Sequence, residues 1–370
     1  MSGDVLAEAR EAGREKTLRD LEWSKIVEAV AARCAGPLGD RLEALPFAPD
    51  LDTARRAMVE TDEALRLRKD REPLPLAGIR DVRSSLERVG KGGALDGPAL
   101  RDLRFTLGAA RTLRGFLARR RERCPRLSAA CPLDPTLDGL ERELAAAIED
   151  DGTVSDAASP TLRRLRAEVG HLRARIVARL EQILLEHREV VQDRFHTVRD
   201  GRYVVPMRTD AHDRIPGIVH GTSGSGATVF VEPRALIEQQ NRLTIALAEL
   251  EAEEARILMQ LSELVGERLP ELRAAVDALD HADLRAASAR VAEDLRATVP
   301  ELVSEPTVVV KEARHPHLAL EGADVVANAL ALRGGHALVL SGPNAGGKTV
   351  ALKLLGILAC MARAGLPVPA

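Results

Sequence analysis

One glycine-rich stretch near the end of the sequence constrains the fold more than any other feature. Residues 342–349 read Gly-Pro-Asn-Ala-Gly-Gly-Lys-Thr, so two glycines are separated by four residues and followed by lysine and threonine. An apolar run at 337–340 predicts a strand before this stretch, and an apolar run at 350–362 predicts a helix after it. A strand, a glycine-rich loop of this spacing and a helix are typical of a phosphate-binding loop. The sequence therefore predicts a nucleoside triphosphate site, and an ordinary glycine-rich turn is the weaker alternative.

Each residue type in this loop suits the binding of phosphate. The glycines let backbone N–H groups point inward as an anion-binding nest at the start of the helix. Lys348 supplies a positive charge for the β- and γ-phosphates, and the hydroxyl of Thr349 is a ligand for Mg²⁺. The predicted phosphate-binding residues are Gly342, Pro343, Asn344, Ala345, Gly346, Gly347, Lys348 and Thr349.

Composition excludes several other classes of protein. The 370 residues carry a net charge of only −3, so the average composition does not predict strong non-specific attraction to nucleic acid. Aromatic residues make up 2% of the chain, which argues against stacking platforms for single-stranded nucleic acid. The four cysteines lack paired metal-ligand spacing, and the sequence shows neither a signal-peptide core nor an apolar stretch that spans a bilayer. We therefore expect a cytoplasmic protein with reduced thiols and no membrane partner.

Helical periodicity dominates the first part of the chain. Apolar residues recur at helical spacing at 52–68, at about 79–89 and at about 98–121. Each segment has one apolar face, which predicts a helical core domain rather than isolated helices.

Two longer series of apolar residues predict a pair of long helices. The first series lies in a helix predicted from residue 162 to about 191, and a second series runs from 243 to 279 with Pro270 within it. The near-heptad spacing favours an antiparallel coiled coil, and two helices of a globular bundle are the alternative. Pro270 should kink or end the second helix. The first series is Leu162, Leu165, Val169, Leu172, Ile176, Leu180 and Ile183.

The segment between these helices changes to the two-residue period of strands. Short strands are predicted at 203–207, 217–220 and 228–231, with a hairpin turn at 221–226. The segment is locally basic, which suits either a solvated surface or a contact with nucleic acid, and both remain open. Its arginines are Arg194, Arg199, Arg202, Arg208 and Arg214.

The last part of the chain is rich in predicted strands before the glycine-rich loop. A strand is predicted at 308–310, and a further extended stretch at 325–328. This order predicts the beginning of an α/β phosphate-loop ATPase domain. Val325 and Val326 are candidates for an apolar slot that holds a nucleotide base, and two buried core valines are the alternative.

Several motifs together resemble the MutS family of ATPases. Two of them are the loop at 342–349 and Arg-His-Pro at 314–316. Three further stretches make the chain similar to the type 2 MutS subfamily. They are Asp-Gly-Thr-Val-Ser-Asp-Ala-Ala-Ser-Pro at 151–160, Arg-Tyr-Val-Val-Pro-Met-Arg at 202–208, and the hairpin at 217–233.

The resemblance implies a mainly α protein followed by the start of an α/β phosphate-loop ATPase domain of the ABC type. It implies a MutS-like core at 1–160, a first lever helix at 161–194 and a strand-rich tip in the clamp position at 195–233. A second lever helix at 234–299 and the incomplete ATPase domain at 300–370 follow.

The resemblance also implies chemistry and partners. The cofactors would be ATP and Mg²⁺, with Thr349 as metal ligand, Val325 and Val326 beside the base, and His315 as a weaker base contact. The partners would be branched DNA, collided ribosomes with their rRNA, and a second copy in a homodimer. Family members suppress homologous recombination or split ribosomes, and the mismatch-reading domain is absent from type 2 proteins.

The sequence departs from the family pattern after the glycine-rich loop. It contains no acidic Walker B strand, no signature loop and no Smr nuclease domain, so we expect an N-terminal fragment that does not hydrolyse ATP by itself. Two alternatives remain open. One is a non-catalytic scaffold that binds DNA or RNA, and the other is a coiled-coil ATPase of the chromosome-maintenance kind. In that second class the phosphate loop precedes the coiled coil, whereas both long helices precede it here.

Overall fold

A computed structural model describes residues 13–191, 195–224, 226–341 and 347–370, apart from the side chain of residue 212. The described residues are mainly helical, which confirms the predicted class, and residues 13–20 are helical as well. The helices are α1 (Trp23–Ala31), α2 (Leu38–Arg41), α3 (Leu51–Lys69), α4 (Arg83–Gly90), α5 (Gly97–Arg119), α6 (Pro125–Ala130), α7 (Leu137–Ala147), α8 (Pro160–Glu186), α9 (Ile237–Glu267), α10 (Leu269–Asp294), α11 (Pro316–Leu320) and α12 (Lys348–Arg363). The strands are β1 (Thr197–Arg199), β2 (Arg202–Arg208), β3 (Gly217–Thr222), β4 (Thr228–Pro233), β5 (Thr307–Ala313) and β6 (Asn328–Arg333), and short 3₁₀ helices lie at Thr209–Arg214 and Arg234–Leu236.

The described residues fall into two compact units. The first contains the described chain up to Lys91, together with Asp102–Arg142 and Gly266–Ala370. The second contains Gly92–Arg101 and Glu143–Val265. The five-part division expected from the family stays a prediction.

Helix α10 is the centre of the first unit. It packs against α1, α3, α4 and α6, and it is buried on almost every side. Half of its buried side chains are alanines, among them Ala282, Ala286 and Ala289, which let neighbouring helices approach closely. A helix surrounded in this way holds the unit together by packing rather than by a single apolar stripe.

The first unit also buries charged groups that have specific partners. Glu60 on α3 accepts a hydrogen bond from His281 Nε2 at 2.9 Å and forms an ion pair with Arg285 Nε at 3.2 Å. Asp283 accepts hydrogen bonds from the backbone N–H groups of Ala35 and Gly36, both at 2.8 Å. Burial lowers the pKa of Arg285 and raises the pKa of Asp283. Buried charges are tolerated because such partners replace the lost water.

Helix α8 forms the core of the second unit with α9. All seven apolar residues of the series that begins at Leu162 are buried, as predicted. Ser159, just before α8, donates a hydrogen bond to Glu253 Oε1 at 2.6 Å, and the later part of α8 shares a buried cluster with Leu243 near the start of α9. These contacts match an antiparallel pair.

Pro270 acts as the sequence predicted. Helix α9 ends at Glu267 and α10 begins at Leu269, so Pro270 lies in the first turn of α10, where its missing N–H costs nothing.

Strands β1–β4 pair antiparallel in the order β1-β2-β4-β3 and confirm the three predicted strands. Strand β1 was not predicted. Val205 and Met207 of β2 pair with Val231 and Val229 of β4, and these four side chains pack into the same buried cluster as Ile176 of α8. The two-residue period therefore reflects a sheet with one face against the long helices.

Helix α12 packs the last segment of the chain into the first unit. Strands β5 and β6 form a two-stranded antiparallel sheet, which confirms the strand predicted at 308–310. The prediction of a strand at 337–340 is wrong, because residues 336–341 lie in no strand or helix. A strand requires a hydrogen-bonded neighbour, and none of the described residues pairs with this run.

We predict that the α8 seam dominates the stability of the second unit. Ile176 is fully buried, and Ile176→Ala should lower the free energy of unfolding by about 2–4 kcal/mol. Leu185 on the same helix is 58% exposed, so Leu185→Ala should change it by less than about 1 kcal/mol. Urea unfolding followed by circular dichroism measures both values, and equal losses for the two variants would contradict this packing.

Candidate phosphate-binding site

The start of α12 has the backbone that a phosphate site requires. Gly347 has a φ of 74°, in the left-handed region that glycine adopts without strain. The first hydrogen bond of the helix joins Ala351 N–H to Gly347 C=O at 3.0 Å. The N–H groups of Thr349 and Val350 therefore precede the intrahelical ladder and are available to an anion.

The predicted site residues are only partly described. Gly347, Lys348 and Thr349 lie together at the beginning of α12, where the Lys348 side chain is half-buried and Thr349 is exposed. The remaining five predicted residues lie outside the described residues, so the phosphate-binding loop itself stays a prediction. These five are Gly342, Pro343, Asn344, Ala345 and Gly346.

Buried contacts along α12 fix the position of its first turn. Ile357, Leu358 and Met361 are almost fully buried in the first unit. A Cβ at Gly356 would lie 2.8 Å from Leu21 Cδ2, so the absence of a side chain there permits close packing. After the helix, Gly365 has a φ of 75° and packs against Ala57 of α3. The apolar face that the sequence predicted is thus the anchor of the site.

A partly exposed network of charges includes Lys353 in the second turn of α12. Lys353 Nζ contacts Glu22 Oε1 at 2.9 Å, and Lys25 Nζ contacts Glu22 Oε2 at the same distance. Lys25 also reaches Glu321 after α11 at 3.4 Å. Hydrogen bonds from Lys25 and Lys353 lower the pKa of Glu22 to about 2. The network joins α12 to the turn before α1.

Two buried histidines lie beside this network. His317 Nε2 donates to the backbone carbonyl of Leu21 at 3.1 Å, and the ring centroids of His315 and His317 are 5.2 Å apart. Burial is the main cause that lowers the pKa of both imidazoles, and for His315 the neighbouring His317 lowers it further. The sequence named His315 as a weaker base contact, but its side chain is buried in the first unit.

The two valines expected beside the base are in the segment before β6. Val325 is half-buried, whereas Val326 is 80% exposed and its carbonyl accepts a hydrogen bond from Asn328 Nδ2 at 3.0 Å. The interpretation of Val326 as a core valine is therefore wrong. Its role as a base contact stays a prediction.

The described residues hold no cluster of three or more histidine, cysteine, aspartate or glutamate side chains arranged to bind a metal. The role of Thr349 as a ligand for Mg²⁺ stays a prediction. The four cysteines are free thiols, in agreement with the sequence. Among the helices within the described ranges, none combines the length and the apolar character needed to cross a membrane.

Comparison with curated proteins relates the whole chain to one kind of protein. It is 39% identical to "Endonuclease MutS2" of Symbiobacterium thermophilum and 40% identical to the protein of the same name from Thermomicrobium roseum. It is 36% identical to "Endonuclease MutS2" of Bacillus velezensis. These matches cover 96%, 95% and 96% of the chain, respectively.

The chain belongs to the MutS2 family. It spans slightly less than half of its curated MutS2 relatives, since the matches cover 45–46% of their lengths. No family model matches the chain. The match to MutS2 proteins confirms the family resemblance that the motifs indicated. This match extends over nearly every residue of the chain.

We predict a pH dependence of stability from the buried histidine pair. The unfolded chain, with imidazole pKa values near 6.5, binds more protons below that pH than the folded chain, whose values are lowered. The free energy of unfolding should therefore fall as the pH drops from 7 to 5. In the double variant His315→Gln/His317→Gln this fall should be smaller.

Urea unfolding at pH 7, 6 and 5 measures the effect. His171, which is exposed on α8, provides a control, because His171→Gln should keep the pH dependence of the parent chain. The same pH dependence in the double variant and in the parent would contradict the prediction.

Proposed function

We propose that this chain binds ATP with Mg²⁺ through the residues at 342–349. The supporting observation is the start of α12, where Gly347 adopts the left-handed conformation and the N–H groups of Thr349 and Val350 precede the helical ladder. These donors, the ammonium group of Lys348 and the hydroxyl of Thr349 form a donor set that suits a triphosphate with its metal. Membership in the MutS2 family favours ATP among the nucleotides.

The residues described in the structure would have different roles in such a site. The backbone of the first turn and Lys348 would hold the phosphates, and Thr349 would hold the metal. Bound Mg²⁺ neutralises phosphate charge. Val325 and Val326 would lie beside the base, for which the exposure of Val326 leaves its side chain accessible.

The chain also acts, in our proposal, on nucleic acid. The curated relatives are named endonucleases, and an endonuclease acts on a nucleic-acid chain. Helices α8 and α9 would serve as levers that couple the nucleotide site to a clamp around the nucleic acid, with two copies in a homodimer. The family resemblance offers two nucleic-acid partners. One is branched DNA, in the suppression of recombination, and the other is the rRNA of collided ribosomes.

Nucleotide binding provides the test. Lys348→Ala should weaken the binding of a fluorescent ATP analogue by about 10- to 100-fold, because a charge-assisted hydrogen bond contributes about 1.5–3 kcal/mol. Lys311 is exposed on β5, so Lys311→Ala is the matched control and should bind as the parent does. Fluorescence titration in the presence of Mg²⁺ measures all three proteins. Unchanged affinity in Lys348→Ala would overturn the proposed site.

A further inference from the structure

Positive charge is concentrated in the helical first unit, where α3 and α5 end. Residues 66–72 and 119–126 contain nine basic and three acidic residues, a net charge of +6 in a chain whose total is −3. The strand-rich segment at 195–233 contains four arginines and four acidic residues, so it is neutral as a whole. The region that the sequence singled out as basic is therefore less basic than these two helix ends.

Ion pairs join the ends of the two helices. Arg120 Nη2 lies 2.7 Å from Glu72 Oε1, and Arg123 contacts both Glu72 and Asp70 at 2.5 Å. Hydrogen bonds from Arg120 and then Arg123 lower the pKa of Glu72 to about 2, so this carboxylate is ionised at neutral pH. These contacts hold the turn after α3 against the turn after α5.

Four cations beside these ion pairs have no such partner. All four are exposed, and among the described residues none of them forms an ion pair or a side-chain hydrogen bond. Each is the chain neighbour of a residue that belongs to the ion pairs, and neighbouring Cα atoms lie about 3.8 Å apart. The four therefore surround one junction, which we call the basic corner. They are Lys69, Arg71, Arg119 and Arg121.

Other cations of the same region are used within the fold. Arg66 pairs with Asp62 on α3, and Arg68 pairs with Glu293 on α10 at 2.5 Å. These arginines stabilise the helices and leave little charge for a partner, so they are not part of the basic corner.

The helix dipoles explain two of the four free cations. A cation in the last turn of a helix is attracted by the negative end of the dipole, and this attraction falls off within that turn. Lys69 and Arg119 lie in the last turns of α3 and α5. Arg71 and Arg121 lie beyond the ends of the helices, so the dipoles do not account for them.

The backbone at Arg71 gives a second reason to expect a role beyond folding. Its φ is 62°, in the left-handed region, and the N–H of Glu72 donates to the carbonyl of Leu67 at 2.9 Å. This is the position after a helix where glycine is favoured, because a side chain there strains the backbone. An arginine in a strained position is typical of functional sites.

We propose that the basic corner binds the phosphate backbone of a nucleic acid. This inference rests on the proposed action on nucleic acid and adds a contact surface in the first unit. Three of the four cations are guanidinium groups, whose planar donors bind phosphate oxygens in pairs. Backbone contacts of this kind position a nucleic acid without reading its sequence.

An acidic protein surface is the other occupant that this charge could attract, and a second copy of this chain, with its net charge of −3, is one. We favour nucleic acid because the curated relatives are named for an action on it. Sedimentation of the parent and the variants separates the two occupants.

The salt dependence of binding to a DNA or RNA duplex of about 30 base pairs tests the proposal. Each phosphate contact contributes about 0.9 to the slope of log K against log salt concentration for DNA. Replacing all four cations of the basic corner by glutamine should therefore make the slope shallower by about 2–4 for at least one of the two duplexes. Fluorescence anisotropy at about 50–200 mM salt measures the slope.

Two double variants test whether both helix ends belong to one surface. Lys69→Gln/Arg71→Gln and Arg119→Gln/Arg121→Gln should each make the slope shallower by about 1–2. The matched control is Arg88→Gln/Lys91→Gln, because these two exposed cations lie in the last turn of α4 and directly after it. The control makes the same change in net charge as each double variant and should keep the parent slope.

The single variant Arg71→Gly separates binding from folding. Glycine adopts the backbone of this position without strain, so the urea midpoint should stay the same or rise. The slope should nevertheless become shallower by about 1, because one phosphate contact is lost. A lower midpoint with an unchanged slope would show that Arg71 serves the fold alone.

The remaining outcomes are distinct. If the parent binds a duplex and the corner variants keep its slope, the inference is overturned and the proposed function survives. If only one of the two double variants changes the slope, the joint surface is overturned. If the corner variants change only self-association, the surface binds a second copy instead. If the parent binds neither duplex even at about 50 mM salt, the proposed action on nucleic acid fails as well.

Discussion

Burial of one face of α12 is the interaction on which the candidate site depends. A phosphate loop binds only if the N–H groups at the start of its helix are held in place. Here Ile357, Leu358 and Met361 hold the helix on the first unit, and Gly356 allows Leu21 to approach its backbone. Removing such side chains from water contributes about 1.5–3 kcal/mol for each. The apolar residues of the helix therefore position donors that lie two to three turns away from them.

The charged groups around this helix have two different roles. Glu22, Lys25 and Lys353 are partly exposed, so their mutual attraction is screened and orients neighbouring segments more than it stabilises them. Glu60 and Arg285 lie deep in the first unit, where each would be costly without the other.

Periodicity predicted the helices well because their contacts are local and regular. The seam of α8 from Leu162 to Ile183 was predicted residue by residue, and Pro270 marked the junction between α9 and α10. The strand at 337–340 failed because a strand is defined by its neighbours, which a local pattern does not contain. The ion pair between Glu60 and Arg285 could not be predicted from the sequence either, since 225 residues separate the two.

Within the candidate site, the sequence identified the residue types but not their support. The motif indicated Gly347, Lys348 and Thr349, and the helix begins there. The contact of Lys353, on the same helix, with Glu22 could not be predicted, because 331 residues separate the two in the sequence.

Hydrogen exchange of the first turn of α12 tests the central claim most directly. The N–H groups of Thr349 and Val350 precede the helical ladder and should exchange rapidly in the free chain. If they bind a triphosphate, addition of ATP with Mg²⁺ should slow their exchange markedly, while the exposed strand β6 keeps its rate. Unchanged exchange at these two amides under saturating ATP would contradict the account.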